Sequence, residues 1–288
     1  MSFRVAIGYA QRQGNRPSQQ DRVLHEKIGD SDPAHVAVVT DGMGGRRGGG
    51  ESSEIAATTI IRHLKAIGET LVSRYGGRSD IGDEEIQAAV STKLKTAFDR
   101  AFYAILNASQ TQDFQDMGTM ALAAVVFGPY LFLGHVGDCR AYRVAQGQAE
   151  QITTDHSILE ACRKAKETGR AYHGVEPSRA ETMLSDPDAF YNLLRQPAQY
   201  LGVNSLLLNH GERPCAPLVD FGLYRLERGA IYVLATDGLN PLSLDQIASA
   251  ATTITDPTQA ADNLCDLALA SSGNKADNTT VLVVKGLP

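Results

Sequence analysis

The sequence is poor in cysteine, and the little it has is scattered. Cys139, Cys162, Cys215 and Cys265 are its four thiols in 288 residues. None forms a C-x-x-C pair, and none has a histidine at zinc-finger spacing. That excludes a disulfide framework and a thiolate zinc module, and it leads to an expectation of reduced thiols in an intracellular setting. No long hydrophobic run is present either. The longest, Met120 to Leu133, is broken by Gly128-Pro129 and is too short to cross a bilayer. Met1 to Ala10 lacks the charged-then-apolar pattern of a secretory signal. There is no basic block and no acidic tail. The 27 Lys and Arg and 33 Asp and Glu are interspersed, for a formal net charge of -6, which argues against nucleic acid as a partner. No repeat, low-complexity tract or linker divides the chain. The expectation is a cytoplasmic protein, one domain over residues 1–288, with neither nucleic acid nor membrane among its partners.

The chain is rich in apolar stretches that end on an aspartate. His35 to Val39 runs into Thr40-Asp41-Gly42-Met43-Gly44-Gly45, and Leu234-Ala235-Thr236-Asp237-Gly238 repeats the event almost residue for residue. His135-Val136-Gly137-Asp138 and Lys275-Ala276-Asp277-Asn278 also set an Asp beside an apolar strand. An isolated Asp-Gly after a strand is ordinarily a turn. Four acids delivered this way point to a shared oxygen-ligand metal site. The glycines allow close approach to the backbone. The loop from Asp41 to Gly50 lacks the Gly-Lys-Ser/Thr that a nucleotide-cradling P-loop needs.

Periodicity supplies the scaffold. Arg4 to Tyr9 alternates as a strand, and Arg12 to Asp21 reads as a loop. A helix is expected from Glu51, with Ile60, Leu64, Ile67 and Leu71 on one face. A second begins at Asp83-Glu84-Glu85, acids that suit a helix N-terminus, and buries Ile86, Val90, Leu94, Ala97, Ala101 and Ile105. Met120–Phe127 and Tyr130–Val136 flank Gly-Pro as a hairpin. Ala141–Val144 and Glu150–Thr153 follow as short strands, and Ser157–Thr168 as a helix. Gly169 to Pro217 is irregular, with a short helix expected at Asp188–Arg195, and is read as a flap. Leu218–Leu226 and Gly229–Ala235 look like another hairpin. Two helices, 243–251 and 257–271, precede a last strand, Thr279–Val284. Strands without intervening helices argue for antiparallel pairing. The expected fold is α+β, a four-layer α/β/β/α sandwich of two antiparallel sheets with helix pairs outside.

Carboxylates without histidine or thiolate partners suit Mg2+ or Mn2+. Two such ions lower the pKa of a bound water and neutralise a phosphate. An arginine, here Arg16 in the loop before the first Asp-Gly, would add bidentate contacts to phosphoryl oxygens. The residues therefore point to metal-assisted phosphate-ester hydrolysis, without choosing between protein and small-molecule substrates.

Seven segments, in order, match one family. Arg16-x-x-Gln19-Gln20-Asp21, Asp41-Gly42-Met43-Gly44-Gly45, Gly118-Thr119, His135-x-Gly137-Asp138-Cys139-Arg140, Thr153-Thr154-Asp155-His156-Ser157, Thr236-Asp237-Gly238-Leu239 and Asp277-Asn278-Thr279-Thr280 resemble the signature motifs of the metal-dependent Ser/Thr protein phosphatases (PPM, type 2C). The likeness runs from about residue 4 to residue 285. It implies a protein Ser/Thr phosphatase using Mn2+ or Mg2+, with two ions in the core and a third, weaker one. Asp41 would bridge the two ions, the Gly42 carbonyl would ligate one, and Asp237 and Asp277 would complete the other. Asp21 would hold a metal-bound water, and Asp138 would join Asp237 around the third ion. Arg16 would clamp the substrate phosphate while a metal-bridged hydroxide attacks in line. The resemblance also implies phosphorylated protein substrates and a cognate Ser/Thr kinase. Met43 resembles the bacterial version of its motif.

Four departures qualify the resemblance. Gln19 stands where Asn is usual, a longer amide expected still to support its loop. His135 and Cys139 replace Asn and Ser around Asp138, so the hydrogen bonding there must differ. Gln199 to Gly202 lacks the usual Arg. Met43 cannot donate a proton to the leaving group, which phosphoryl transfer tolerates because positioning and charge stabilisation dominate it. His156 is read as a structural hydrogen-bonder and Cys139 as a buried, inert thiol. The rival reading, a catalytically silent phosphoprotein-binding module of the same fold, would be marked by loss of a core aspartate. Asp41, Asp237 and Asp277 are all present.

Overall fold

The computed structural model describes residues 3–30, 32–43, 45–76, 83–110, 117–172, 174–186, 201–202 and 217–287. In chain order the elements are β1 (Val5–Arg12), β2 (Asp21–Ile28), β3 (Ala34–Met43), α1 (Gly45–Tyr75), α2 (Asp83–Ala108), β4 (Gly118–Phe127), β5 (Tyr130–Val136), β6 (Arg140–Ala145) and β7 (Gln148–Gln151). They continue with α3 (Ile158–Thr168), α4 (Pro177–Ser185), β8 (Leu201–Gly202), β9 (Asp220–Arg225), β10 (Ile231–Ala235), α5 (Leu244–Thr253), α6 (Pro257–Ser272) and β11 (Thr279–Gly286). One sheet has the order β1-β11-β10-β6-β7. The other has β2-β3-β4-β5-β9, with β8 beside the start of β4. The pairings are antiparallel.

Three apolar layers explain the stacking. Leu122, Leu131 and Leu133 of one sheet meet Leu234, Leu282 and Val284 of the other in the central layer. The predicted faces of α1 and α2 cover the outer side of the β3–β5 sheet, through Ile60, Leu64, Val90 and Leu94 among others. Helices α5 and α6 cover the other sheet with Ile247, Ala251, Leu264 and Ala268. Strands β4, β5 and β10 are buried along their whole length. That is why they read as unbroken apolar runs rather than alternating ones. Each fully buried Leu or Ile contributes about 1.5–3 kcal/mol of transfer free energy. The expected four-layer sandwich is the fold.

Several local expectations are corrected. The pair 218–226 and 229–235 is not a hairpin: β9 pairs with β5, while β10 lies between β6 and β11. The connection between them is held from both sides, Leu226 N–H to Pro129 O at 2.7 Å and Gly229 N–H to Gly286 O at 3.1 Å. A turn signal at Gly229 (φ 78°) gives the local bend but not the partner. Helix α1 starts at Gly45, not Glu51, and Gly48 and Gly49 in its first turns pack closely on Met117, Gln20 and Gly42. A Cβ on Gly49 would come within 2.9 Å of Gly42 O and 2.7 Å of Gln20 Oε1. Strand β2 and helix α4 were not expected. Of the proposed flap, residues 187–200 and 203–216 lie outside the described residues, as do the expected helix 188–195 and Cys215.

Candidate metal centre

Strand ends bring the acids together. Asp21 opens β2 directly opposite Asp41 near the end of β3, and Gly42 lies opposite Thr119 of β4. Thr119 Oγ1 donates to the Asp41 carbonyl at 2.7 Å. In the other sheet, β10 and β11 are antiparallel neighbours with Ala235 opposite Val281. The end of one therefore sits beside the start of the other, which places Asp237 near Asp277. Asp237 opens a single 3-10 turn, Asp237–Leu239. Asp138 lies where the chain crosses from β5 to β6. The preceding Gly137 has φ 99°, and a Cβ there would meet Met120 Cγ at 2.1 Å, so only glycine fits.

Asp21 joins the two sheets. Its Oδ2 accepts from Thr236 Oγ1 and Thr280 Oγ1, both at 2.8 Å and both from the opposite sheet. Both threonines lie in the quoted motifs, and their role as partners of Asp21 emerges only from the fold. Asn278 is a third such residue: its side chain accepts from Gln20 N–H at 2.8 Å and donates to Gln13 O at 2.7 Å, tying the Arg16 loop to the Asp277 segment. Gln19 performs the role expected of it. Its Oε1 accepts from Asp21 N–H at 3.0 Å, and its Nε2 donates to Arg12 O at 3.1 Å.

The acids press on one another. Burial, then the neighbouring Asp237 and Asp277, raises the Asp21 carboxyl from 3.8 to about 7, despite the opposing threonine hydrogen bonds. Burial and Asp237 raise Asp138 to about 7. Burial first, then Asp237, Asp21 and Asp138, holds Asp41 well above the ordinary carboxylate range. Asp237, hydrogen-bonded to Asp41, is raised by burial and Asp277, with Arg16 and Arg140 pulling the other way.

This donor set fits a hard divalent cation. Asp21 Oδ1 and Asp138 Oδ1 are buried with no hydrogen-bond partner. A buried carboxylate oxygen left in that state is costly unless a cation answers it. All the donors are oxygens, the preference of Mg2+ and Mn2+. Arg16, half exposed, forms an ion pair with Asp277 Oδ2, so the predicted phosphate clamp lies against the predicted metal cluster. The surroundings of Asp138 differ as expected from its changed neighbours. His135 Nε2 bonds Thr154 O at 2.9 Å, and Cys139 is fully buried with its thiol pushed up by burial. That matches an inert thiol.

A protein phosphatase 2C family model matches residues 7–269. A 2C-type homologue from Oryza sativa subsp. japonica is 26% identical over 286 residues, which make up 98% of this chain and 66% of that protein. Among solved structures, the serine/threonine phosphatase of S. agalactiae superposes with a TM-score of 0.68 at 24% identity, covering 98% of this chain and 99% of that one. The catalytic domain of the serine threonine protein phosphatase PstP in complex with two manganese ions does so with a TM-score of 0.63 at 22% identity, covering 100% of each. Both likenesses concern the fold. The family match takes in Arg16 and every acid of the cluster except Asp277, which the β10–β11 pairing brings to the same place. The chain belongs to the protein phosphatase 2C family.

Proposed function

We propose that this protein hydrolyses phosphoserine and phosphothreonine in other proteins, and that Arg16, Asp21, Asp41, Gly42, Asp138, Asp237 and Asp277 form the site. It is a Mn2+/Mg2+-dependent phosphoprotein phosphatase. The observation that carries the reading is the convergence of five aspartates and one arginine from separated strand ends, with two buried carboxylate oxygens unanswered. The manganese-bearing structural relative supports the same ion class. Asp41 would serve both core ions, with the Gly42 carbonyl on one, Asp237 and Asp277 would complete the other, and Asp138 with Asp237 would hold a third. When bound, the ions supply Lewis-acid charge and a water acidic enough to attack a phosphate ester near neutral pH.

The chain's own groups do the rest. The Arg16 guanidinium pairs with Asp277 while leaving N–H donors to grip phosphoryl oxygens, and so holds the ester in line. Asp21 is fixed by two hydroxyls and supports the cluster from the sheet interior. Met43 carries no transferable proton, so protonation of the leaving group falls to a metal-bound water or to another group of the cleft. The silent-module reading expects a missing core acid, and none is missing. Residues 1–288 are read as one phosphatase domain, with 169–217 as a flap shaping access. A cognate Ser/Thr kinase and a cytoplasmic location belong to the same proposal. Among the described residues, no helix is long and apolar enough to cross a membrane. The test is hydrolysis of a phosphothreonine peptide with Mn2+, with Mg2+ and with EDTA, alongside Asp237→Asn. Turnover that needs the ion and is lost in the variant is expected. Equal turnover in EDTA would overturn the reading.

A further inference from the structure

Beside the acid cluster lies a second constellation that the mechanism above does not use. His135, His156 and Asp220 place one nitrogen or oxygen atom each within 4.8 Å of one another. His135 closes β5 and stands directly opposite Asp220 of β9 in the sheet register. His156 comes from the segment before α3, and its ring lies 4.6 Å from that of His135. Both histidines are buried, whereas Asp220 is partly exposed.

Partners fix the protons. A backbone amide can only donate, so the 3.3 Å contact from Gly137 N–H makes His156 Nδ1 an acceptor. In the neutral ring the proton then sits on Nε2, which lies 3.2 Å from Asp220 Oδ2, a close electrostatic contact rather than an aligned hydrogen bond. A carbonyl can only accept, so His135 donates Nε2–H to Thr154 O. Burial holds His135 down at about 4, which keeps it neutral. The nitrogen of His156 that a cation would need therefore already carries a proton facing a carboxylate. The geometry is that of a brace, hydrogen-bonded to Gly137 on one side of the ring and in close electrostatic contact with Asp220 on the other, and not of a metal site.

The brace ends on one corner of the chain. His156 N–H donates to Gly137 O at 2.9 Å while its ring accepts from Gly137 N–H, so both polar groups of Gly137 are held by a single residue. On the far side of Asp138, Arg140 grips Asp155 with Nε at 2.9 Å and Nη2 at 2.7 Å. Asp138 is thus suspended between two anchors in the same short segment, 155–156, and its own Oδ1 is free for a ligand.

Building on the phosphatase reading, we propose that His156, oriented by Asp220, is a positioning residue that holds the Gly137–Asp138 corner so that the Asp138 carboxylate faces the cleft and binds the weakest of the ions. The chain extends from the metal ligand to the first residue of β9. That strand follows the proposed flap.

The test is Mn2+ binding by the full chain, followed by titration calorimetry and by the electron-spin resonance of free Mn2+, with melting curves alongside. Asp138→Asn is the benchmark for the weakest site. His156→Leu removes the acceptor, His156→Asn keeps an acceptor near the Nδ1 position, and Asp220→Asn removes the orienting charge. Removing such an outer partner is expected to weaken the weakest site about 10-fold or more while leaving the tighter ones in place. His156→Asn should recover most of the loss, and Asp220→Asn should fall between. A merely structural role would lower the melting temperature and weaken every site alike, with no rescue by Asn; that result overturns the proposal. So does an unchanged Mn2+ profile in folded His156→Leu. So does stoichiometric Zn2+ uptake that is lost in Asp220→Asn, which would make the cluster a metal site. Wild-type protein that binds no Mn2+ at all would sink the phosphatase reading itself and this proposal with it.

Discussion

Asp21 and Asp41 face each other as register partners across β2 and β3, yet they meet the opposite sheet differently, Asp41 through another acid, Asp237, and Asp21 through hydroxyls. Its Oδ2 takes hydroxyl bonds from Thr236 and Thr280, which lie 215 and 259 residues away in sequence. Asp21 is therefore pinned through Oδ2 while its Oδ1 stays open to the cluster, and Asp41 is set against a second carboxylate. The division of labour between two adjacent carboxylates is set by which one the threonines reach.

Neutralising the accessible acids separates activity from stability. Asp41→Asn and Asp237→Asn should each lower phosphopeptide turnover at least about 100-fold, the scale of losing one preorganised charge-stabilising group. At about pH 8 the metal-free variants should melt at or above the wild-type temperature, because an amide relieves carboxylates that repel one another. Near-normal turnover in either variant contradicts the assignment.

Acidity should act in an unusual direction on the metal-free protein. Folding raises Asp21 and Asp138 from 3.8 to about 7. The folded state thus holds protons that the unfolded state has released. This stabilisation is fully present below about pH 4 and is lost as pH rises through about 7. Melting curves in EDTA should show a midpoint several degrees higher at about pH 5.5 than at about pH 8, with Mn2+ closing the gap at the higher pH. A metal-free midpoint that rises with pH would refute the inference.

Arg16 should matter to the substrate more than to the ions. Arg16→Ala is expected to lower kcat/KM for a phosphothreonine peptide about 10- to 100-fold, the worth of one charge-assisted hydrogen bond of about 1.5–3 kcal/mol. Mn2+ binding should persist, since the variant only frees Asp277 from its ion pair. Arg16→Lys should restore little, because a point charge lacks the fork. Loss of Mn2+ binding in Arg16→Ala would move Arg16 from substrate clamp to scaffold.

Gly42, beside the α1 entrance, and Gly147, in the β6–β7 turn, can be graded by what surrounds them. A Cβ on Gly42 would sit 2.0 Å from Gly49 O and 2.8 Å from Gln20 O. Gly42→Ala should therefore destabilise by about 1–3 kcal/mol and disturb the carbonyl beside Asp41. Gly147→Ala meets no atom within 4 Å but has φ 77°, so it should cost only about 1 kcal/mol of backbone strain and leave turnover unchanged. Equal effects in both variants would show that packing at α1 is irrelevant.

Asp41, Asp138 and Asp237 were legible in the sequence because each closes an apolar strand and Asp277 because it precedes one, and a strand end is a local signal; Asp21, which opens β2, was reached only through the resemblance. The faces of α1 and α2 and the β4–β5 hairpin were legible for the same reason. What was misread depends on distant partners. The bend at Gly229 looks like a hairpin, but β9 answers to β5 and β10 to β11, a choice made by burial far along the chain. Gly45 to Gly50 reads as a turn by propensity, yet it is helical, and at Gly48 and Gly49 the neighbouring Met117, Gln20 and Gly42 leave little room for a Cβ. Thr236 and Thr280 showed no sign of their hold on Asp21, since nothing in a threonine's neighbours in sequence reveals an acid more than two hundred residues away.

Strand β1 is the first element of the chain, and its sheet partner is β11, the last. During synthesis β1 therefore has no partner in its sheet until β11 has been made. Thr280, one of the two hydroxyls that pin Asp21, comes with that strand. The fixing of a carboxylate near one end of the described fold thus depends on a strand at the other end, and losing β11 would unpair β1 and release Asp21 together.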